Sequence, residues 1–376
     1  MTNDKLRVAV VGAGRWAQRA HIPGWQRDPR VEVVALSDTD PGILAEAGKQ
    51  FGVDRLVADY RDLLADESID VIDVATANHA HFEISEAALE AGKHVLCEKP
   101  VHHDFHETQR LSDLARERGL KTKLGFTFRY APAVQYARHL IDAGFVGTPY
   151  IFNGYEQNSQ WIDPQTPMRQ VDPDADPDRI ATSSIEGYGA PIIDIMHDWV
   201  GGELTSVVGT MRNFVPKRVV ASTGDLQRLN IDDGDMWVCE FDNDVIASIQ
   251  SSYVTVGNFP GIEARIFGSE GAIIVRLVEE FGICQTIRTA TKDNVEFVER
   301  EIPDEFFPEG GTSREDWDFL FYSKLCSDFA TEILSGSDTN QGDFGQGALV
   351  QQTINAFEKS FADRAWVDFP LDGAAR

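Results

Sequence analysis

The sequence predicts two domains: an α/β domain built on a parallel sheet over about residues 1–128, then an α+β domain with a mostly antiparallel sheet over about residues 129–376. Three observations carry this expectation. A Gly-rich turn, Gly12-Ala13-Gly14-Arg15-Trp16-Ala17, follows the apolar run Val8-Ala9-Val10-Val11 and opens a helix-like segment. Short β-branched strands then alternate with amphipathic helices, whereas the later strands are long and alternate with a period of two. Finally, the second strand ends in Asp38, 21 positions after Ala17.

Taken in order, the first strand and its turn read as the start of a Rossmann βαβ unit. Glycines there permit a tight turn and let the backbone approach a dinucleotide's pyrophosphate at the helix start. Strands follow at 31–37 and 71–75, the latter ending in the turn Thr76-Ala77-Asn78, then a strand ending in Cys97 and another over 121–126. Helices are expected over 41–51, 62–64, 81–91 and 104–118, with Gly52, Gly92 and Gly119 where helix ends take a left-handed residue. The second domain opens with a helix over 132–143. Strands follow over 149–154, 205–215, 235–241, 245–253, 262–267 and 272–275, with Asp242-Asn243-Asp244 as a hairpin turn. Helices over 317–335 and 345–362 lead to a short strand near Val367. Residues 163–179, rich in Pro and Asp, form a loop. Its Asp174–Asp178 stretch lacks the turn Gly and terminal Glu of a calcium loop.

The bulk numbers narrow the function. Among 376 residues, 61 Asp and Glu face 34 Lys and Arg, a net charge of −27, and that field repels nucleic-acid phosphates and anionic membranes. No apolar run approaches the roughly 20 residues of a membrane span, and a first strand at Leu6 leaves no room for a signal peptide. Cys97, Cys239, Cys284 and Cys326 are scattered without a C-x-x-C pair. Together these features lead us to expect a reduced, cytoplasmic protein. His102, His103 and His106 at a helix start are expected to face solvent, and no metal is expected.

A carboxylate at the tip of the second strand can accept both adenosine-ribose hydroxyls and repels a 2′-phosphate, so Asp38, reinforced by Asp40, favours NAD over NADP. In Cys97-Glu98-Lys99-Pro100, Lys99 stands beyond the carboxyl end of a strand, where open parallel sheets bind ligands. Pro100 fixes the backbone that follows, and a cis peptide is one way to do so.

At this point the chain resembles the Gfo/Idh/MocA oxidoreductases. The stretches that carry the resemblance are Val11 to Gly14, Ala75 to His81, Glu90 to Pro100, Gly125 to Tyr130 and Phe267 to Gly271, of which Glu98-Lys99-Pro100 is the most specific. The resemblance implies a Rossmann domain followed by an open-faced sheet domain that often mediates homodimer or homotetramer contacts, with sugars or polyols as substrates. It also implies cofactor contacts from Gly12, Gly14, Arg15, Trp16, Asp38, Thr76, Asn78, His81, Glu98, Lys99 and Arg129, and substrate contacts from Tyr130, Tyr155, Gln157 and Asn158. The family's helix-start motif, roughly G-G-x-x-x-D-x-x-x-H, has its counterpart in Gly187 to His197, although His197 follows Asp194 by three positions rather than four.

The implied reaction is reversible oxidation of a secondary alcohol, with His197 as base, Asp194 orienting it or binding a neighbouring hydroxyl, and Lys99 steadying the alkoxide. The resemblance also admits relatives that keep NAD tightly for glycoside cleavage or internal redox, and relatives that only sense NAD.

Overall fold

Strand β1 (Leu6–Val11) is apolar on both faces because a central strand of a parallel sheet is covered on both sides. The computed structural model describes residues 5–168, 180–258, 260–278, 285–309, 311–312, 316–337 and 342–371. Cys284 and the Asp174–Asp178 stretch lie outside the described residues.

Contacts divide the chain into two compact units, one formed by Met1–Ala131, Pro308–Gly311 and Glu315–Gln351, the other by Pro132–Phe307, Thr312–Arg314 and Gln352–Arg376. In the first, β1 is joined by β2 (Val31–Ser37), β3 (Leu56–Val57), β4 (Val71–Val74), β5 (His94–Cys97) and β6 (Thr122–Leu124). They form a parallel six-stranded sheet in the order β3-β2-β1-β4-β5-β6. Strand order reverses at β1, which places the Gly-rich turn at the switch point of the sheet. A π-helical turn (Ala17–His21) runs into helix α1 (Ile22–Gln26), followed by α2 (Pro41–Phe51), α3 (Arg61–Leu64), α4 (His81–Glu90) and α5 (Phe105–Glu117). Local chemistry sets their ends. Asp40 caps α2 through the N–H groups of Gly42 and Ile43, and Gly52 closes it at φ 68°.

The second unit holds α6 (Pro132–Asp142) and α7 (Ala190–Val200), with β7 (Pro149–Gln157), β8 (Leu204–Arg212), β9 (Lys217–Val219), β10 (Leu226–Arg228), β11 (Gly234–Phe241), β12 (Ile246–Ser252), β13 (Gly261–Gly268), β14 (Gly271–Val278), β15 (Thr286–Thr291), β16 (Asn294–Arg300) and β17 (Val367–Asp368). Nine of these form one sheet in the order β16-β15-β14-β13-β7-β12-β11-β8-β17, antiparallel except for the β7–β12 pair, while β9 and β10 make a separate hairpin. One sheet face is covered: a Cβ on Gly154 of β7 would lie 2.5 Å from Ile192 of α7, so the helix packs directly on the strand there. The other face exposes Ile151, Met236, Val238 and Ile246.

Helix α8 (Trp317–Ser335) corrects the expected allocation of everything after residue 128 to the second domain. Its Tyr322, Leu325, Cys326 and Phe329 are buried in the same core as Val8, Val10, Trp25 and Leu96 of the first unit. A helical apolar period says that a face is buried but not which core receives it. The separate hairpin β9–β10 and the edge hairpin β15–β16 were also not anticipated. Their sequences, such as Thr286–Thr291 and Asn294–Arg300, are polar and carry little alternation.

Helix α9 (Phe344–Asp363) puts Phe357 against Trp237 at 5.6 Å between ring centroids, over Gly209. Phe357 is fully buried, so Phe357→Ala should cost about 3–5 kcal/mol in urea unfolding followed by tryptophan fluorescence.

Candidate active site

The loops beyond the carboxyl ends of β1, β2, β4 and β5 bring together most of the first unit's expected site residues. Gly12 follows β1 at φ 91°, and a Cβ there would meet the Ala75 carbonyl oxygen at 2.6 Å, so only glycine lets the turn pass the end of β4. Gly14 opens onto free space, and Arg15 and Trp16 are exposed beside it. Asp38 is tied back to the turn, one oxygen accepting the Ala13 N–H at 2.8 Å and the other the Asp40 N–H at 2.9 Å. A carboxylate has about four lone-pair sites, so capacity remains for ribose hydroxyls. Asn78 is exposed in the turn after β4. Together, the close-packed glycine, the open side at Gly14 and the carboxylate at the β2 tip fit a dinucleotide with unphosphorylated ribose.

Beyond β5 lies a buried charge cluster that the sequence reading did not find. His21 is fully buried, its Nδ1 facing Asp73 at 2.9 and 3.0 Å and its Nε2 facing Glu98 at 3.2 Å. Trp25 donates to Asp73 at 2.8 Å, Trp16 donates to Glu98 at 3.0 Å, and the Tyr322 hydroxyl also donates to Glu98. Burial alone would lower the His21 pKa, but Asp73 and then Glu98 outweigh it and raise it to about 10. Burial would lift Glu98, yet His21, Lys99 and Tyr322 hold it down at about 2. The available signal was Asp73 itself, a carboxylate inside the apolar strand Val71–Val74, which requires a buried partner.

The same geometry changes how Glu98 and His81 relate to the cofactor. Glu98 spends its carboxylate on side chains of its own unit. His81 is buried, with Nδ1 2.7 Å from the Pro100 carbonyl and Nε2 3.1 Å from the Thr76 carbonyl, and burial lowers its pKa. It fastens two loops together. The Lys99–Pro100 peptide is cis, and Lys99 is partly exposed. Arg129 and Tyr130 are buried, Tyr130 within the core of the unit, under the close approach of Gly342.

In the second unit the expected substrate residues separate. Successive residues of a strand face opposite ways. Tyr155 and Gln157 therefore share the open face with Ile151, where Arg265 lies 5.2 Å from the Tyr155 ring and Gln157 reaches Gln250 at 3.4 Å. Asn158 is buried, and its side-chain oxygen accepts the Gln160 N–H in a turn. Asn158 thus does not share the face that carries Tyr155 and Gln157.

Asp194 and His197 both lie on α7. Asp194 is fully buried, and His197 Nε2 sits 2.9 Å from the Thr353 hydroxyl with its ring against Phe241. Phe241 is at the end of the sheet where Ile246 pairs with Ile151, six residues along β7 from the Gln157–Ser252 pair. At about 3.3 Å per residue that is roughly 20 Å. His197 thus stands at the opposite end of the sheet from Gln157. The turn leading into α7 occupies the Gln157 end: Asp232 accepts the N–H groups of Ser183, Ser184 and Ile185, and Ser184 meets Ser251 at 3.1 Å. Burial and the neighbouring Asp235 push the Asp232 carboxyl up.

Among the described residues no helix is long and apolar enough to cross a membrane. Comparison with known proteins gives two family matches: the Gfo/Idh/MocA oxidoreductase family, NAD-binding Rossmann fold, over residues 6–126, and the family's C-terminal domain over residues 134–274. A levoglucosan dehydrogenase of Pseudarthrobacter phenanthrenivorans is 29% identical, covering 72% of this chain and 73% of the relative. A scyllo-inositol 2-dehydrogenase (NAD(+)) of Bacillus subtilis is 26% identical over 72% and 74%. An NAD binding oxidoreductase from Klebsiella pneumoniae shares the fold, with a TM-score of 0.85 at 24% identity, over 98% and 100% of the two chains.

Two outcomes are expected. A His21 pKa raised from 6.5 to about 10 on folding stabilises the protein fully below pH 6.5, and that contribution is lost as pH rises through about 10. The difference in thermal midpoint between the native chain and His21→Gln should therefore shrink over that window. Asp38→Ala should narrow the ratio of NAD to NADP affinity, measured by titration of each dinucleotide.

Proposed function

Because the chain belongs to the Gfo/Idh/MocA oxidoreductase family, we propose that it reversibly oxidises a secondary alcohol on a sugar or polyol ring, with Lys99 as the residue at the reacting carbon. The observation that supports this most is the placement of Lys99 just beyond β5, between Glu98 and Pro100, both tied to buried histidines. Two of the relatives act on levoglucosan and scyllo-inositol, which supports a cyclic polyhydroxy compound as substrate.

NAD supplies the hydride acceptor, and Gly12, Gly14, Arg15, Trp16, Asp38, Thr76 and Asn78 are the residues proposed to hold it. Lys99, as the amine, takes the hydroxyl proton. As the resulting ammonium it steadies the oxygen while the carbinol carbon gives up hydride, so one proton and two electrons leave the alcohol. A lysine on a flexible stem can serve as general base in its amine form. This transfers to Lys99 the role first expected of His197, whose Nε2 is engaged by Thr353; in this reading Asp194 and His197 secure α7. The exposed apolar residues Ile151, Met236, Val238 and Ile246 suit a homodimer or homotetramer built through the open sheet face. Buried free thiols at Cys97, Cys239 and Cys326 suit the cytoplasm.

The test is a panel of sugars, inositols and glycosides with NAD, followed at 340 nm. Lys99→Met should lower kcat by roughly 10²–10⁴-fold while NAD affinity is retained. His197→Gln should keep most of kcat and lose stability. If instead folded His197→Gln is inactive while Lys99→Met turns over normally, His197 is the base and the reading of Lys99 is wrong.

A further inference from the structure

Lys99 is flanked by two residues that are each fixed by a buried histidine. On one side His21 meets Glu98, and on the other His81 meets the Pro100 carbonyl. The His21 contact is the less expected of the two, because it places charge in the interior. Both ring nitrogens of His21 face carboxylate oxygens, which accept only, so both nitrogens carry protons and the ring is an imidazolium. It has no exposed surface, so the carboxylates replace water as its partners.

We propose that His21 is a positioning residue for the reaction: clamped as an imidazolium between Asp73 and Glu98, it fixes the end of β5 and through it the placement of Lys99. The inference rests on the reading of Lys99 given above.

The surrounding groups agree with a cationic clamp. From β4 comes Asp73. From the β5 end come Cys97, Glu98 and Lys99, the backbone N–H of Lys99 itself reaching the Glu98 carboxylate at 3.3 Å. From α8 come Tyr322, whose hydroxyl donates to Glu98, and Cys326, and from α4 comes His81. Glu98 thus has donors from the turn after β1 (Trp16), from the π-helical turn (His21) and from α8 (Tyr322), three elements that converge on one strand end. A carboxylate on the floor of the site also crowds Gly125, where a Cβ would lie 2.6 Å from Glu98 Oε1. Hydrophobic residues would pack such a site at lower desolvation cost. Charge is placed where a strand end must be held in one orientation.

His21→Gln removes the charge and keeps a polar side chain. For that variant kcat should fall roughly ten- to hundredfold, as expected for a small displacement of a reacting group, with NAD affinity and the alcohol KM within about threefold. Its kcat–pH profile should gain an acid limb, because Glu98 without its cation protonates at higher pH. Tyr322→Phe, which leaves His21 in place and removes one donor to Glu98, should shift the same limb by a smaller amount, and it carries the test if His21→Gln does not fold. A readout independent of turnover is nitrogen-15 NMR of the ring in the chain without cofactor or substrate. His21 should remain doubly protonated at pH 8.5, where exposed histidines are neutral.

A neutral His21 ring at that pH overturns the proposal. So does a folded His21→Gln with unchanged kcat and pH profile, or one that loses kcat and NAD affinity together without the acid limb. If the native chain oxidises nothing in the panel while His21 is still doubly protonated, it is the functional reading that has failed and not the clamp.

Discussion

The first unit depends on a buried imidazolium held between two carboxylates. Taking three charges out of water is costly unless each is paired and its remaining lone pairs are satisfied. Here His21 has a carboxylate on each nitrogen, Asp73 is bonded also by Trp25, and Glu98 by Trp16 and Tyr322. Removing one partner would leave an uncompensated charge in the interior, so the cluster holds all its members at once. Those members come from the segment after β1, from β4, from the β5 end and from α8, which is why a helix more than 200 residues downstream belongs to this core. The Gly-rich turn joins it through Trp16, and the Lys99 loop through Glu98.

In the second unit the ordering element is the sheet's period of two. One face takes α7, and Asp232 caps the turn leading into it through three backbone N–H groups. The opposite face carries Tyr155 and Gln157 together with exposed apolar residues. A side chain's role in this unit is thus decided first by strand parity and then by position along the strand. By that measure His197 lies near Phe241, and the segment at the Gln157 end is the turn entering α7.

Much of this was legible in the sequence because it rests on local chemistry. The Gly12 turn, the Asp40 cap and the Gly52 stop are short-range signals, and the structure places α2 and α8 over the very residues where caps and periodicity put them. What escaped detection is long-range. His21 and Tyr322 are 301 positions apart, and nothing local marks them as neighbours, although Asp73 in an apolar strand was a visible sign that a partner existed. Asn158 parts from Tyr155 and Gln157 for a different reason, since neighbouring residues along a strand face opposite ways. Motif spacing alone likewise paired Asp194 with His197 without showing which end of the sheet they occupy.

The most direct measurement follows the hydride itself. With the alcohol that the protein oxidises deuterated at the carbinol carbon, the account predicts one deuterium on C4 of the nicotinamide for each carbonyl formed, released as NADH. Unlabelled NADH, or a product formed with no NADH released, would contradict it.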